Sequence, residues 1–529
     1  MKTQKLGPFL GANNRLPDTE MRVSTKQVSG NYLRESANVD IDNAGNLRRR
    51  ESELLIQAMT GAHSLHMVSA TAGYLVRDSV LYAVTLPSYA ETFAKTLSSN
   101  DTMSWLTVGD DLYFSNGTDA GRITEGLFFP IGLPTPDAPT CITVGGGLLE
   151  GNYLVAVAYY HSVTGEEGGI SARRKIAVGA ASGLRITMPA ATTGATHVNV
   201  YVSEVNGSVP MLAGTYATGT ATVDFTTPPT QWRPSHGRDE LPLPAGTLFM
   251  SNGKLCSFAD KTVHIGLPFR PGYYLPAGGY LLFAEPVSIA IENQGGTYIA
   301  ADKTYWFPGD IEAEQGVIAT VLPYGAVPGT AFRNPADTTV GWFGDDGFVI
   351  GSTSGEVKAA MSDHIDLTAP DTGCSIVRVS NGYLRVIGGG WCFNLERNAA
   401  TQYTGFDFTS LSGDYGTKAG GVYALSGGAG VEAWANVGKQ NFGSEELKHM
   451  PAMYLGFDSE SPMQLRIQTP EHDYTYDSRS CSGGTRMHRV DPGKGLRATW
   501  FDLTLYNTDG AAFTLATASP APVASGRRI

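Results

Sequence analysis

The chain runs to 529 residues, with 64 glycines, 29 prolines, 17% charged residues and a formal net charge of −12. That length exceeds what one hydrophobic core serves, so about two to four domains are expected, and the acidic balance argues against a protein that grips nucleic acid by neutralising phosphates. Cys141, Cys256, Cys374, Cys392 and Cys481 form no CxxC pair, so neither a disulfide framework nor a zinc site is signalled, and buried thiols in a reducing cytoplasm are the expectation.

Residues 1–60 read as an N-terminal arm and hairpin. MKTQKLGPFLGANN breaks at Gly7-Pro8 before any long apolar stretch, which is not the build of a signal peptide. No window in the chain approaches the roughly 18 apolar residues of a membrane helix. Asn38 to Ile41 reads as a short strand, Asp42 to Gly45 as a turn and Leu47 to Arg50 as a basic return strand. Arg48, Arg49 and Arg50 carry the strongest local positive charge; they suit a solvated strand edge or a docking point for an acidic neighbour.

From 61 to 133 four strand-like runs follow, AHSLHMV, GYLVRDSVLYAV, SWLTVGDDLYFSNG and GRITEGLFFPIG. Proline clusters then bracket 134–236, where GNYLVAVAYYHS, SARRKIAV, GLRITMP, THVNVYVSE, PMLAGTYA and TATVDFT alternate with period two. That pattern predicts an inserted antiparallel β-sandwich of the immunoglobulin or fibronectin kind, without a Cys-Trp-Cys signature. The earlier rhythm resumes over 237–470, and 471–529 reads as a C-terminal β segment with a basic tail.

Two phrases repeat along the way. LYFSNG, LFMSNG and VRVSNG end at Asn116-Gly117, Asn252-Gly253 and Asn381-Gly382, and GDD recurs at Asp110-Asp111 and Asp345-Asp346. Asn-Gly tolerates the positive φ of a tight hairpin, and Asp side chains satisfy turn backbone. Reuse of a hairpin unit predicts an all-β chain built as a propeller-like array of antiparallel hairpins.

Signatures of catalysis are missing: no phosphate-binding loop, no GxSxG elbow and no HExxH pair occur. His63 and His66 fall on one predicted strand, where their spacing sends the rings to opposite faces. The acid pairs, including Glu166-Glu167, could serve a glycosidase only if brought into one groove. YTYDSRSCSGG at 474–484 places Arg479 near Cys481, which reads as a structural strand edge. No catalytic, cofactor-binding or metal-ligating residue is assigned, and an enzyme is not expected.

GPFLGANNRLP at 7–17, ANVDIDNAGNLRRR at 37–50, DPGKGLRATWFDLTLYNTDGAAFTL at 491–515 and the terminal SGRRI together resemble the virion proteins of tailed bacteriophages, specifically the tail nozzle or hub proteins of short-tailed phages. The resemblance covers the two ends, and the middle by architecture alone. It implies a homohexameric ring beneath the portal and adaptor that extends the DNA channel, retains the genome and forms the ejection conduit. The implied partners are further copies of the chain, adaptor or portal proteins and tail fibres. Genomic double-stranded DNA would pass without specific binding, in a virion tail assembled in the host cytoplasm. A receptor-binding tail fibre and a propeller-type polysaccharide depolymerase are the alternatives; a secreted adhesin would carry an export signal.

Overall fold

A computed structural model describes residues 5–25, 29–228, 233–234, 239–312, 318–380, 382–479, 484–493 and 495–525. Among these residues every regular element is a β-strand. The alternation that predicts strands is kept on folding: Met463–Gln468 reads MQLRIQ and buries every second side chain, as a sheet with one solvated face requires.

Seven four-stranded antiparallel sheets follow one another among the described residues. The first six span 62–96, 104–130, 247–282, 289–322, 332–359 and 375–402. The seventh takes three strands from 410–424 and its fourth, Leu54–Ala58, from near the start of the chain. There Ala58 lies opposite Gly421 and Leu54 opposite Ala424. The amides of Leu65 and Met67, on the first strand of the first sheet, donate to Ser410 Oγ and Ser412 Oγ of the seventh at 2.9 and 2.8 Å.

Two compact units divide the chain. One comprises Met1–Thr96, Asn293–Trp306 and Ala319–Ile529, the other Leu97–Glu292 and Phe307–Ile318. In the first, strands from both ends of the sequence are knitted together. Glu35–Ala37 shares a five-stranded sheet with Trp434–Gln440, Phe501–Asn507, Met463–Gln468 and Asp473–Asp477. Val39–Ile41 and Leu47–Arg49 share another with Phe513–Pro520, Met453–Ser459 and Arg486–Val490. Val39, Ile41 and Leu47 are packed into one buried cluster with Leu455, Phe457, Leu465, Leu503, Leu505 and Leu515. Strands from 35–49 and from 434–520 are therefore interleaved in this terminal body. A second cluster in the same unit is aromatic: Phe343 and Phe348 meet edge-on at 5.0 Å, and Phe348 also lies 6.1 Å from Phe332, an arrangement aromatic quadrupoles favour.

In the second unit, residues 140–225 form two antiparallel sheets, one of three strands and one of five. Tyr153, Val155, Val157 and Tyr159 of the strand Gly151–His161 face a core with Leu184, Ile186, Val198 and Val200. Ala156 and Ala158 are also buried, beside Ile170, Tyr201 and Leu212, so this strand is covered on both faces. The six strands expected from the alternation are present, joined by Thr140–Leu148 and the short Glu166–Glu167.

Candidate functional site

The arginine run begins at a turn organised by Asp42, whose buried carboxylate accepts from the amides of Ala44 and Asn46 at 2.9 Å each and from Arg48 Nε at 3.2 Å. Arg48 is thereby paired within its own hairpin. Burial, followed by the charge of Arg50, lowers the pKa of Arg49. Arg50 is 2% exposed. Its Nε donates to Asn38 Oδ1 at 2.8 Å, its Nη1 pairs with Glu53 at 2.5 Å, and its guanidinium lies 5.3 Å from the ring centres of both Tyr403 and Phe406. Arg50 does not stand on an outward docking face, because a guanidinium removed from water needs the internal partners it has.

Those partners make the hairpin an internal joint. Asn38, held at a φ of 56°, accepts from the Thr404 amide at 2.9 Å and donates to Thr404 Oγ1 at 2.7 Å and the Glu432 carbonyl at 2.9 Å. Tyr403 donates a short hydrogen bond to Asp40. Arg385 Nη1 and Asn394 Nδ2 both donate to the Ile41 carbonyl, at 3.1 and 3.0 Å, and Arg385 Nε lies 3.7 Å from Asp40 Oδ2. The arm adds a reciprocal clamp: Asn14 donates to the Asp366 carbonyl at 2.7 Å while its Oδ1 accepts from the Asp366 amide at 2.6 Å. The GANN and ANVDIDNAG phrases thus fasten the terminal body to the sheet 375–402 and the loop before it.

The repeated turn phrases are used in different ways. Asn252-Gly253 closes a two-residue hairpin with φ of 49° and 75°, the type I′ geometry expected of Asn-Gly. Asn116 instead opens a longer loop, its Oδ1 accepting from the amides of Thr118 and Asp119 at 3.0 and 2.6 Å, with Gly117 at a φ of 85°. Gly382 has a φ of 81°; Asn381 lies outside the described residues. In the first GDD the turn is Gly109-Asp110, with Asp111 already in the strand and accepting from Thr124. In the second the turn is Asp345-Asp346, between the paired Gly344 and Gly347. Each is a hairpin turn, one residue out of register with the other.

The remaining acid pair lies in a cleft of the second unit. Glu166–Glu167 pairs with Tyr160 and His161, and consecutive strand residues face opposite ways. Glu166 accepts from the Tyr273 hydroxyl at 2.6 Å and makes a short ion pair with Arg122. Glu167 accepts from the Tyr201 hydroxyl, with Arg233 Nη2 3.6 Å from its Oε2. Arg270 reaches Glu240 Oε2 at 3.1 Å, donates to the Glu167 carbonyl and stacks 4.7 Å from the Tyr273 ring centre. Burial, then the charge of Glu166, pushes the Tyr273 hydroxyl up, so it remains a donor. The cleft has a volume of about 360 Å³. Only Glu166-Glu167 was visible as a motif; Arg122, Glu240, Arg270 and Tyr273 come from distant segments that no local pattern links.

The other reactive candidates are quiet. Burial pushes the thiols of Cys256, Cys374 and Cys392 up to about 12 and that of Cys141 to about 11, so none is a thiolate nucleophile at neutral pH. Cys481 lies outside the described residues. Arg479 pairs with Asp491 at 2.8 Å, and Asp477 accepts from Gln464 at 2.9 Å.

No protein-family model matches the chain, and no curated protein does. Among solved structures it is similar to the extracellular domain assigned to a one-component system of B. thetaiotaomicron, at 10% identity and a TM-score of 0.19 over 93% of each chain. An exo-beta-1,3-galactanase of Phanerochaete chrysosporium matches at 10% identity and a TM-score of 0.18, over 81% of this chain and 96% of the other. PorZ, a surface component of the type-IX secretion system of Porphyromonas gingivalis, matches at 9% identity and a TM-score of 0.22, over 89% and 100%. Likenesses this remote leave function to be argued from the chain's own residues.

Proposed function

We propose that this chain is a structural subunit of a short-tailed phage tail, a nozzle or hub protein that extends the DNA channel below the portal and adaptor, retains the genome and forms the conduit on ejection. In this reading the seven four-stranded sheets are blades of a propeller closed by Leu54–Ala58, and 134–236 is an inserted immunoglobulin- or fibronectin-like sandwich. One observation carries the proposal. Two of the phrases that resemble nozzle proteins, 37–50 and 491–515, come from opposite ends of the sequence and have their strands in shared sheets: Val39–Ile41 and Leu47–Arg49 share one with Phe513–Pro520, and Glu35–Ala37 shares one with Phe501–Asn507. The resemblance therefore describes one module with one buried core. The hairpin joint gives that module a rigid seat, as a part that holds a pressurised genome requires, and the net charge of −12 disfavours adhesion of passing DNA.

The test is native mass spectrometry with negative-stain class averages, on the purified protein alone and mixed with adaptor and portal rings. A six-fold ring with a central hole that stacks on the adaptor is the expected outcome. A monomer or trimer that ignores the adaptor and cleaves host polysaccharide would replace this reading with the fibre or depolymerase alternative.

A further inference from the structure

Phe269 is 100% exposed, and its φ is 61°. It sits with Pro268 in the two-residue turn between the paired Leu267 and Arg270. Proline cannot take a positive φ, so the positive value at the second position makes this a type II turn, where glycine or asparagine is the favoured residue. A left-handed backbone costs a bulky L-residue about 1–2 kcal/mol, and a ring wholly in water recovers nothing by burial. A strained aromatic with no packing role among the described residues is the kind of outlier from which function is inferred.

Phe269 is one of the residues that line the cleft with Arg122, Glu166, Glu167, Arg270 and Tyr273. Its volume of about 360 Å³ falls within the roughly 300–1,000 Å³ of small-molecule sites. Its charges are matched in pairs, Arg122 with Glu166 and Arg270 with Glu240, so neither a free anion nor a free cation is favoured. Paired carboxylates and guanidiniums still have spare acceptor and donor positions, held in place by each other.

We propose that this cleft binds a neutral saccharide. A sugar hydroxyl both donates and accepts, which suits a floor dense in both functions, while the C–H face of a pyranose offers a flat apolar surface for the Phe269 ring. Binding is non-covalent, and the site does not depend on the ring assembly proposed above.

Saturation-transfer difference NMR of the full chain with maltotriose, cellotriose, mannotriose and tri-N-acetylchitotriose tests it, with Phe269→Gly as the variant. Glycine relieves the turn, so the variant should melt at the same temperature or higher, yet bind at least tenfold more weakly the trisaccharide that the parent binds. Absence of transfer to all four sugars at millimolar concentration overturns the proposal. Binding unchanged by Phe269→Gly overturns it equally.

Discussion

At Asp40 a carboxylate with no exposed surface faces Arg385, 1% exposed, and the Tyr403 hydroxyl. Breaking a buried pair by removing one partner leaves a charge without compensation, so Arg385→Met should cost about 3–5 kcal/mol in urea unfolding, and adding Asp40→Asn should restore part of it. A single-variant cost near zero would show that the joint is not held by this pair. Two other groups contribute to the acid limit. Burial holds the His66 imidazole down at about 4 against an ordinary 6.5. Burial alone would raise the Glu53 carboxyl, but hydrogen bonds and charge from Arg50, with help from Lys418, hold it at about 2 against an ordinary 4.5. Both folded values are depressed, so the unfolded chain binds more protons within each window and stability falls as pH falls. His66 contributes fully above 6.5 and loses its contribution between 6.5 and 4; Glu53 does so between 4.5 and 2. Glu53→Gln should flatten the lower part of a stability–pH curve while leaving the upper part intact. The arginine run was legible as charge but not as position, because a lone sequence shows neither Asn38 nor Tyr403 waiting across the joint.

The strands were the most legible elements, since period-two alternation is a direct imprint of a sheet with an inner and an outer face. Their partners were less so. Leu54–Ala58 reads LLIQA and pairs with Gly421–Ala424, and nothing in either run names the other. Turn phrases were half legible. Asn252-Gly253 behaves as Asn-Gly chemistry dictates, but the two GDD copies differ in register, because which residue turns is decided by the strands on either side. Gly253→Val, at a φ of 75° with nothing crowding its Cβ, should destabilise by about 1–2 kcal/mol through backbone strain alone, whereas Asn252→Gly should stay within about 0.5 kcal/mol. Equal effects in equilibrium unfolding would mean that this hairpin is not the I′ turn described.

Two compact units, each with its own core, should melt as more than one cooperative event. Scanning calorimetry is expected to resolve two transitions. Leu505→Ala, in the terminal body, should lower one, and Leu184→Ala, in the core of the second unit, the other, each costing about 2–5 kcal/mol; a single transition shifted alike by both would sink the idea. The seat of the terminal body also bears on how the protein is made. The hairpin at 39–49 finds its outer sheet partner only at 513–520, several hundred residues further along the chain. At about 5–20 residues per second, the early hairpin waits tens of seconds with open edges, a hazard for aggregation. A prematurely terminated chain never receives those partners. Translation through residue 520 thus becomes a proofreading step: a product truncated before it cannot build the terminal body, and a defective subunit is barred from any assembly that depends on it.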